Sequence, residues 1–264
     1  MSLTVLLALL AGVLGLAVGS FLNVVVWRVP RGESVVRPAS ACPRCGHVIR
    51  SRDNVPVLSW LLLRGRCRDC GEPISIRYPL VEGVTGVVFA VLTLVVGATW
   101  ALPAVLYVAA VGVALTLIDL DVHRLPDRIV LPSYPVVAAL LVLASWNPGG
   151  EADWGPLVRA AIGGVGLFLF YFAAAFAYPS GMGFGDVKLA GVLGMLLAWF
   201  GWGTLAVGAF GAFVLGGLFA VGLLAAGRAQ RKSGIPFGPW MIGGALLGLL
   251  VGESLWSAYL GLFT

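Results

Sequence analysis

The sequence predicts an all-α polytopic membrane protein with about eight transmembrane helices and a small cysteine-bearing domain between helices one and two. Hydrophobic residues make up 59% of the chain and charged residues only 11%, whereas about a quarter of a soluble globular chain is charged. Long apolar runs recur from one end to the other, and only helices can supply them, because backbone within lipid must satisfy its own hydrogen bonds. All four cysteines lie in the one long basic segment.

Eight apolar runs of roughly 20 residues, each bounded by polar residues, glycine or proline, define the predicted spans. The first lacks the basic start and small-residue exit of a signal peptide, so we expect it to be retained as a helix. The sixth is the shortest, and its start is the least defined. The predicted spans are residues 3–27, 79–97, 103–120, 128–146, 157–178, 186–200, 204–226 and 239–262.

Positive charge sets the expected orientation. We divide the chain into a first helix (1–27), a cysteine-bearing insertion (28–78) and a seven-helix membrane domain (79–264). Of 17 Lys and Arg residues, ten lie in the insertion, and with eight spans all but Arg159 fall on one side of the membrane. The positive-inside rule then places the insertion in the cytoplasm and both termini outside. Because topology explains the basic cluster, we predict no nucleic-acid partner.

Glycines spaced by four indicate where helices approach closely. Gly15 and Gly19 form such a ridge in the first span, and Gly244, Gly248 and Gly252 form one in the last. Small residues at this spacing let transmembrane helices pack backbone to backbone. In a chain with 37 glycines, chance spacing is the alternative explanation.

The cysteines form two Cys-x2-Cys pairs, Cys42 with Cys45 and Cys67 with Cys70. Two such pairs can place four thiolates around one metal ion in tetrahedral geometry, which is typical of a structural zinc site. Disulfides or free thiols are the alternative, and a reducing cytosol disfavours disulfides. Four protein ligands leave no open position for catalysis. We therefore expect a zinc-stapled cytoplasmic domain whose arginines face acidic lipid headgroups or a partner.

Two carboxylates lie at membrane depth, where ionisable side chains indicate function by default. Asp119 ends the third span, and Asp186 follows a glycine-rich stretch at the start of the sixth. The expected topology brings both to the cytoplasmic face, although 67 positions separate them. A close pair of carboxylates divides the roles of acid and base, so one can activate a water while the other hydrogen-bonds the carbonyl under attack. The pair predicts peptide hydrolysis without a covalent intermediate.

Residues around the pair have both functional and ordinary interpretations. Gly183 and Gly185 lack side chains, so a substrate backbone could approach Asp186 closely. Lys188 either stabilises a carboxylate or substrate, or only sets topology. Asp127 is expected to cap the helix that it precedes. A phosphate-binding function for the glycines is disfavoured, because there is no preceding strand and no Lys-Ser/Thr.

Motifs spread along almost the whole chain resemble those of the type IV prepilin peptidases, which belong to the GxGD aspartic proteases. They are Gly-Ser-Phe-Leu-Asn (19–23), the two cysteine pairs, Arg-Tyr-Pro-Leu-Val-Glu (77–82), Ile-Asp through Leu-Pro-Asp (118–127), Gly-Phe-Gly-Asp-Val-Lys-Leu (183–189) and Pro-Phe-Gly-Pro (236–239). The resemblance implies that Asp119 and Asp186 are catalytic. It also implies a substrate, a prepilin or pseudopilin whose short basic leader is cut before an apolar helix, and a location in the bacterial inner membrane.

The resemblance leaves a second activity open, since many members with the cysteine domain also methylate the new N-terminus using S-adenosylmethionine. No Gly-x-Gly-x-x-Gly segment supports that cofactor from the residues themselves. Glu82 either binds the new amino terminus or has a structural role, and Asn23 either binds substrate or joins two helices. The rival functions are a proton-coupled transporter and a non-catalytic membrane assembly module. The sequence does not indicate the oligomeric state.

Overall fold

The computed structural model describes residues 2–178, 182–227 and 236–263. In these ranges the chain is helical, without β-strands, and the eight long helices follow the eight predicted spans closely. A ninth, short helix lies in the insertion. The helices are α1 (Leu3–Arg28), α2 (Leu58–Leu62), α3 (Arg77–Val96), α4 (Leu102–Val122), α5 (Asp127–Trp146), α6 (Gly155–Ala177), α7 (Phe184–Phe200), α8 (Trp202–Ala225) and α9 (Gly238–Leu260).

Seven helices among the described residues are long and apolar enough to cross a membrane: α1, α3, α4, α5, α6, α8 and α9. Many of their large apolar side chains are exposed, as expected for surfaces that face lipid. The sixth predicted span, α7, has 17 residues, about 26 Å at 1.5 Å per residue. Most of its residues are buried, so it is a core helix. The all-helical membrane fold is confirmed.

By contacts, the chain forms two compact units, Met1–Ala98 with Ala109–Ala114, and Thr99–Val108 with Leu115–Thr264. The first unit joins α1 to α3 along the predicted glycine ridge. A side-chain carbon on Gly15 would lie 2.7 Å from the backbone oxygen of Thr85, and one on Gly19 would lie 2.7 Å from Cα of Glu82. Both distances are too short for any residue but glycine, so this ridge is a confirmed interface.

In the second unit α7 contacts α5, α6, α8 and α9. The predicted ridge of α9 packs on α8: a side-chain carbon on Gly248 would lie 2.6 Å from the backbone oxygen of Thr204, and one on Gly244 would lie 2.4 Å from that of Gly208. This ridge is also confirmed. The surrounding helices leave α7 little exposed surface, so its length need not match the bilayer.

The insertion contains two matching turns around the cysteine pairs. In the first, Gly46 donates its N–H to the carbonyl of Cys42 at 2.9 Å, and in the second Gly71 donates to Cys67 at 2.9 Å. Each glycine has a positive φ, +71° and +74° respectively, which glycine adopts without steric cost. The repeated turn brings both cysteines of each pair to one side.

Candidate active site and cysteine centre

Asp119 lies in the last turn of α4, and its side chain is almost entirely buried (5% exposed). Its Oδ2 accepts the backbone N–H of Gly238, the first residue of α9, at 3.0 Å. A side-chain carbon on Gly238 would lie 2.8 Å from that same oxygen. Glycine is therefore required for this approach, and it fixes one oxygen of the carboxylate.

Asp186 lies in the first turn of α7 and is also buried (8% exposed). Its Oδ2 accepts the N–H of Gly183 at 3.1 Å, and its own N–H donates to the carbonyl of Gly183 at 3.0 Å. Leu125 lies beside both sites, 2.9 Å from a side-chain carbon on Gly185 and 3.2 Å from one on Gly238, and Asp186 lies within electrostatic range of Asp119. The fold thus brings the two sequence-predicted carboxylates together, each with one oxygen bonded to a backbone N–H.

The glycines before Asp186 have different surroundings. A side-chain carbon on Gly185 would lie 2.9 Å from Cβ of Leu125, so the loop between α4 and α5 occupies the space beside it. At Gly183 the nearest atom to such a carbon is Oδ2 of Asp186 itself, at 3.3 Å. Gly181, from the same glycine-rich stretch, lies outside the described residues. A substrate backbone therefore has room beside Gly183, whereas Leu125 fills the space beside Gly185.

Polar contacts hold α7 at both ends. Near its start, Nζ of Lys188 binds both carboxylate oxygens of Asp127 at 2.7 and 2.8 Å, and the hydroxyl of Tyr134 donates to the carbonyl of Lys188 at 2.6 Å. Near its end, the Arg159 guanidinium donates to the carbonyls of Ala198 and Trp199, each at 2.5 Å. These contacts set the position of α7, and with it that of Asp186.

Two of these contacts revise the expectations from sequence. Asp127 is the first residue of α5 and makes no capping bond; Pro126 occupies the capping position. The expected cap is therefore wrong, because the carboxylate is directed to Lys188. Lys188 does stabilise a carboxylate, but that carboxylate belongs to Asp127.

The four cysteines converge on one point. Their sulfur atoms all lie within 4.8 Å of one another, and Sγ of Cys42 is 3.7 Å from Sγ of Cys70. Tetrahedral zinc with bonds of about 2.3 Å separates its sulfurs by about 3.8 Å, so the donor set fits the ion. The backbone N–H groups of Cys45 and Arg44 also lower the pKa of the Cys42 thiol to about 6, which favours the thiolate that binds a metal.

Ion pairs connect the two cysteine turns. Arg44 of the first turn binds Glu72 beside the second, and Nη2 of Arg50 lies 2.9 Å from Oδ1 of Asp69. The arginines are exposed and their acidic partners partly exposed, so each pair contributes little stability by itself.

Asn23 and Glu82 make structural contacts within the first unit. Nδ2 of Asn23 donates to the carbonyl of Tyr78 at 3.3 Å, which joins α1 to the start of α3. Oε2 of Glu82 accepts the N–H of Val57 at 2.7 Å, which fastens the insertion to α3. The contacts favour the structural alternative for both residues.

Comparison with known proteins gives two matches to family models. Residues 13–96 match the bacterial peptidase A24 N-terminal domain, and residues 106–221 match the type IV leader peptidase family. The chain belongs to the type IV leader peptidase family. The second match includes both buried carboxylates, Asp119 and Asp186. Family membership and seven spanning helices fit a multi-pass protein of the bacterial inner membrane.

Curated relatives in this family are similar over most of the chain, and each is named prepilin leader peptidase/N-methyltransferase. The Aeromonas salmonicida (strain A449) protein is 35% identical, covering 93% of this chain and 91% of its own length. The Myxococcus xanthus (strain DK1622) protein is 42% identical, covering 86% and 67%. The Pseudomonas putida protein is 37% identical, covering 94% and 92%. No solved structure matches the chain.

Three residues near the two aspartates have roles that the sequence does not indicate. Gly238 was noted as part of a motif, without its bond to Asp119. Tyr171 of α6 is buried, its ring lies against that of Phe237 (centroids 6.2 Å apart), and it lies near Asp186. In the sequence, Arg159 stands out only as the one basic residue on the opposite side of the membrane from the others. The only sequence signal for the inward position of Tyr171 is the 3.6-residue helical period, which places it on the same face of α6 as the buried Gly163 and Gly164.

Proposed function

We propose that this chain is a membrane aspartic endopeptidase that removes the short basic leader from type IV prepilins or pseudopilins, with Asp119 and Asp186 as its catalytic pair. The observation that carries the proposal is the meeting of these two buried carboxylates from helix ends 67 positions apart. The names of the curated relatives supply the substrate class.

The proposed chemistry uses the oxygens that the backbone leaves available. The N–H of Gly238 binds Oδ2 of Asp119, and the N–H of Gly183 binds Oδ2 of Asp186. Among the described residues, neither Oδ1 accepts a hydrogen bond. One carboxylate takes a proton from water as the water oxygen attacks the scissile carbonyl carbon, and the other gives its proton to the carbonyl oxygen. Proton transfer to the leaving nitrogen then breaks the C–N bond. The positive end of α7 favours Asp186 as the negatively charged partner.

Lys188 and Gly183 have supporting roles in this proposal. Lys188 fixes the first turn of α7 through Asp127, so it positions Asp186 without touching substrate. Gly183 has no side chain to block an extended backbone beside Asp186. Gly185 lacks a side chain and so leaves the space that Leu125 fills. Asn23 and Glu82 hold the first unit together.

The cysteines would hold a structural zinc ion. Cys42, Cys45, Cys67 and Cys70 supply four thiolates, so the ion has no position for water or substrate. When bound, zinc would cross-link a segment that has little hydrophobic core. We place no catalytic step at this centre.

N-methylation is the second candidate activity, favoured by the names of the relatives. Across the residues that the structure describes, no strand, glycine loop and helix form a nucleotide-binding unit. We therefore assign no residue to S-adenosylmethionine and derive no methyl-transfer step.

The proposed orientation has both termini outside and the insertion in the cytoplasm, where the leader would also lie. Ten of 17 basic residues are in the insertion, and cytoplasmic loops carry such an excess. Arg228, Arg231 and Lys232, which also enter this count, lie outside the described residues. An alkaline phosphatase fusion after residue 264 should be active, because this reporter folds on the periplasmic side of the inner membrane, and inactivity would reverse the orientation.

The direct test of activity is mass spectrometry of a prepilin incubated with the purified protein and S-adenosylmethionine. We expect loss of the leader, and N-methylation would appear as the further mass of one CH2 group on the mature N-terminus. Asp119→Asn and Asp186→Asn should each abolish leader loss while the protein still accumulates in the membrane. Cleavage at the normal rate by either variant would exclude the proposed pair, and the transporter or assembly alternatives would then stand.

A further inference from the structure

The short helix α2 has two different faces. Ser59 is buried and donates through Oγ to the carbonyl of Arg52 at 3.1 Å, and Nε1 of Trp60 donates to the carbonyl of Ile74 at 3.0 Å. These bonds fix one face to the insertion. The opposite face, here called the leucine face, presents side chains at positions i, i+3 and i+4 that are 52%, 58% and 74% exposed: Leu58, Leu61 and Leu62.

A hydrogen bond fixes the depth of this helix. Val57 directly precedes α2, and its N–H donates to Oε2 of Glu82 at 2.7 Å. Glu82 is the sixth residue of α3, about 8 Å from the start of a helix about 30 Å long. That length equals the hydrocarbon thickness of a bilayer. The start of α2 therefore lies beside a transmembrane helix, about 8 Å to the acyl-chain side of the boundary with the headgroups, which is the depth at which interfacial helices bury their apolar face.

The backbone at this point is tightly constrained. Val57 has φ +60°, which is a rare conformation for a β-branched residue. The N–H of Leu58 bonds back to the carbonyl of Pro56 at 2.6 Å. On the other side of Glu82, Gly19 of α1 packs against its Cα. The leucine face is thus held at a defined height by two spanning helices.

Charge beside the leucine face is positive and unmatched. Elsewhere in the insertion, Arg44, Arg50 and Arg68 each bind an acidic residue. Arg64 and Arg66 are exposed, and neither has an ion-pair partner in the described parts of the chain. Arg64 even takes φ +52° in the turn that ends α2, a position that glycine usually occupies.

We propose that α2 is an interfacial anchor that docks the cysteine insertion on anionic lipid. The leucine face enters the acyl-chain boundary, and Arg64 and Arg66 lie among lipid phosphates. Exposed leucines beside unmatched basic residues are the composition of helices that lie in a membrane interface. The bond to Glu82 holds the leucine face and the two arginines at the depth of the membrane interface. This depth favours lipid over a soluble partner as the occupant of the leucine face.

A photo-crosslinking experiment tests the anchor. The photoreactive residue p-benzoyl-phenylalanine would replace Leu62 in the full-length protein, in nanodiscs of phosphatidylglycerol and phosphatidylcholine. Val48 is the matched control, since it is also an exposed aliphatic residue (59%) of the insertion but lies on the first cysteine turn. After irradiation, mass spectrometry should find phospholipid adducts at position 62 and few at position 48. Unchanged zinc content would show that each variant is folded.

Substitution of Arg64 and Arg66 provides a second test of the anchor. In the Leu62 variant, adding Arg64→Gln and Arg66→Gln should reduce the preference for phosphatidylglycerol by about fivefold for each charge removed. An equal lipid yield at positions 62 and 48 would overturn the proposal. Adducts at position 62 with a second copy of the chain, or with added prepilin in place of lipid, would also overturn it and assign the surface to that protein. An unchanged lipid preference in the glutamine variant would exclude the arginines from the anchor.

Discussion

The two clusters of reactive side chains are assembled in opposite ways. The four cysteines lie within residues 42–70, and two copies of the same glycine-terminated turn bring their sulfurs to one point. The aspartates come from α4 and α7, and the N–H that binds one of them comes from α9. Local backbone geometry builds the first cluster, whereas helix packing builds the second. The two should therefore fail in different ways when they are perturbed.

Loss of the metal should have the largest structural effect, and it should be confined to the insertion. Cys67→Ser removes one of four ligands from a segment with little core, and structural zinc supplies about 10–16 kcal/mol in small peptides. We expect zinc per chain, measured by elemental analysis, to fall from one to near zero, with rapid proteolysis between α1 and α3. Arg44→Gln, which breaks only an exposed ion pair, should retain zinc. Full zinc in Cys67→Ser would contradict the four-cysteine site.

A single methyl group should perturb the aspartate cluster from a distant part of the sequence. Gly238→Ala places a carbon 2.8 Å from Oδ2 of Asp119 and so displaces the bond from the Gly238 N–H. Hydrogen bonds to charged groups contribute about 1.5–3 kcal/mol, so kcat for prepilin cleavage should fall roughly 10- to 100-fold, with little change in KM.

The matched control is Gly243→Ala on the same helix, where the added carbon meets only Leu215 at 3.4 Å. This variant should cleave at nearly the normal rate. If the two alanine variants behave alike, the Gly238 bond has no part in the activity.

The smallest effect should come from the ion pair that positions α7. Lys188→Met removes a partly exposed bond to Asp127, and such pairs are worth about 0.2–1 kcal/mol. We expect a decrease in kcat of up to about fivefold. Because the pair acts as a unit, Asp127→Asn should cause a similar decrease, and the double variant should be no slower than either single variant. Multiplying effects would show that Lys188 acts independently of Asp127.

Sequence alone predicted those features that depend on local pattern. The apolar runs gave the long helices, the four-residue glycine spacing gave the α1–α3 and α8–α9 interfaces, and the cysteine spacing indicated one cluster. Asp119 and Asp186 could be paired through topology, since both were expected at the same membrane face. Each of these predictions required only a regular residue spacing or the number of membrane spans.

Contacts that depend on helix packing were not accessible from the sequence. The partner of Lys188 is Asp127 on another helix, the space beside Gly185 is filled by Leu125, and Arg159 reaches the end of α7. None of these pairs has a spacing that one sequence could reveal. The inner position of α7 was equally hidden, because its apolar residues resemble those of a lipid-facing span.

The most direct measurement of the central claim is the single-turnover rate of prepilin cleavage by Asp119→Asn, Asp186→Asn and the double variant. If the carboxylates form one catalytic unit, each substitution should lower the rate at least about 1,000-fold, and the double variant should be no slower than the slower single one. Glu151→Gln, which changes an exposed carboxylate in the segment before α6, should remain close to the normal rate. Near-normal cleavage by either single variant, or effects that multiply in the double variant, would contradict a shared site.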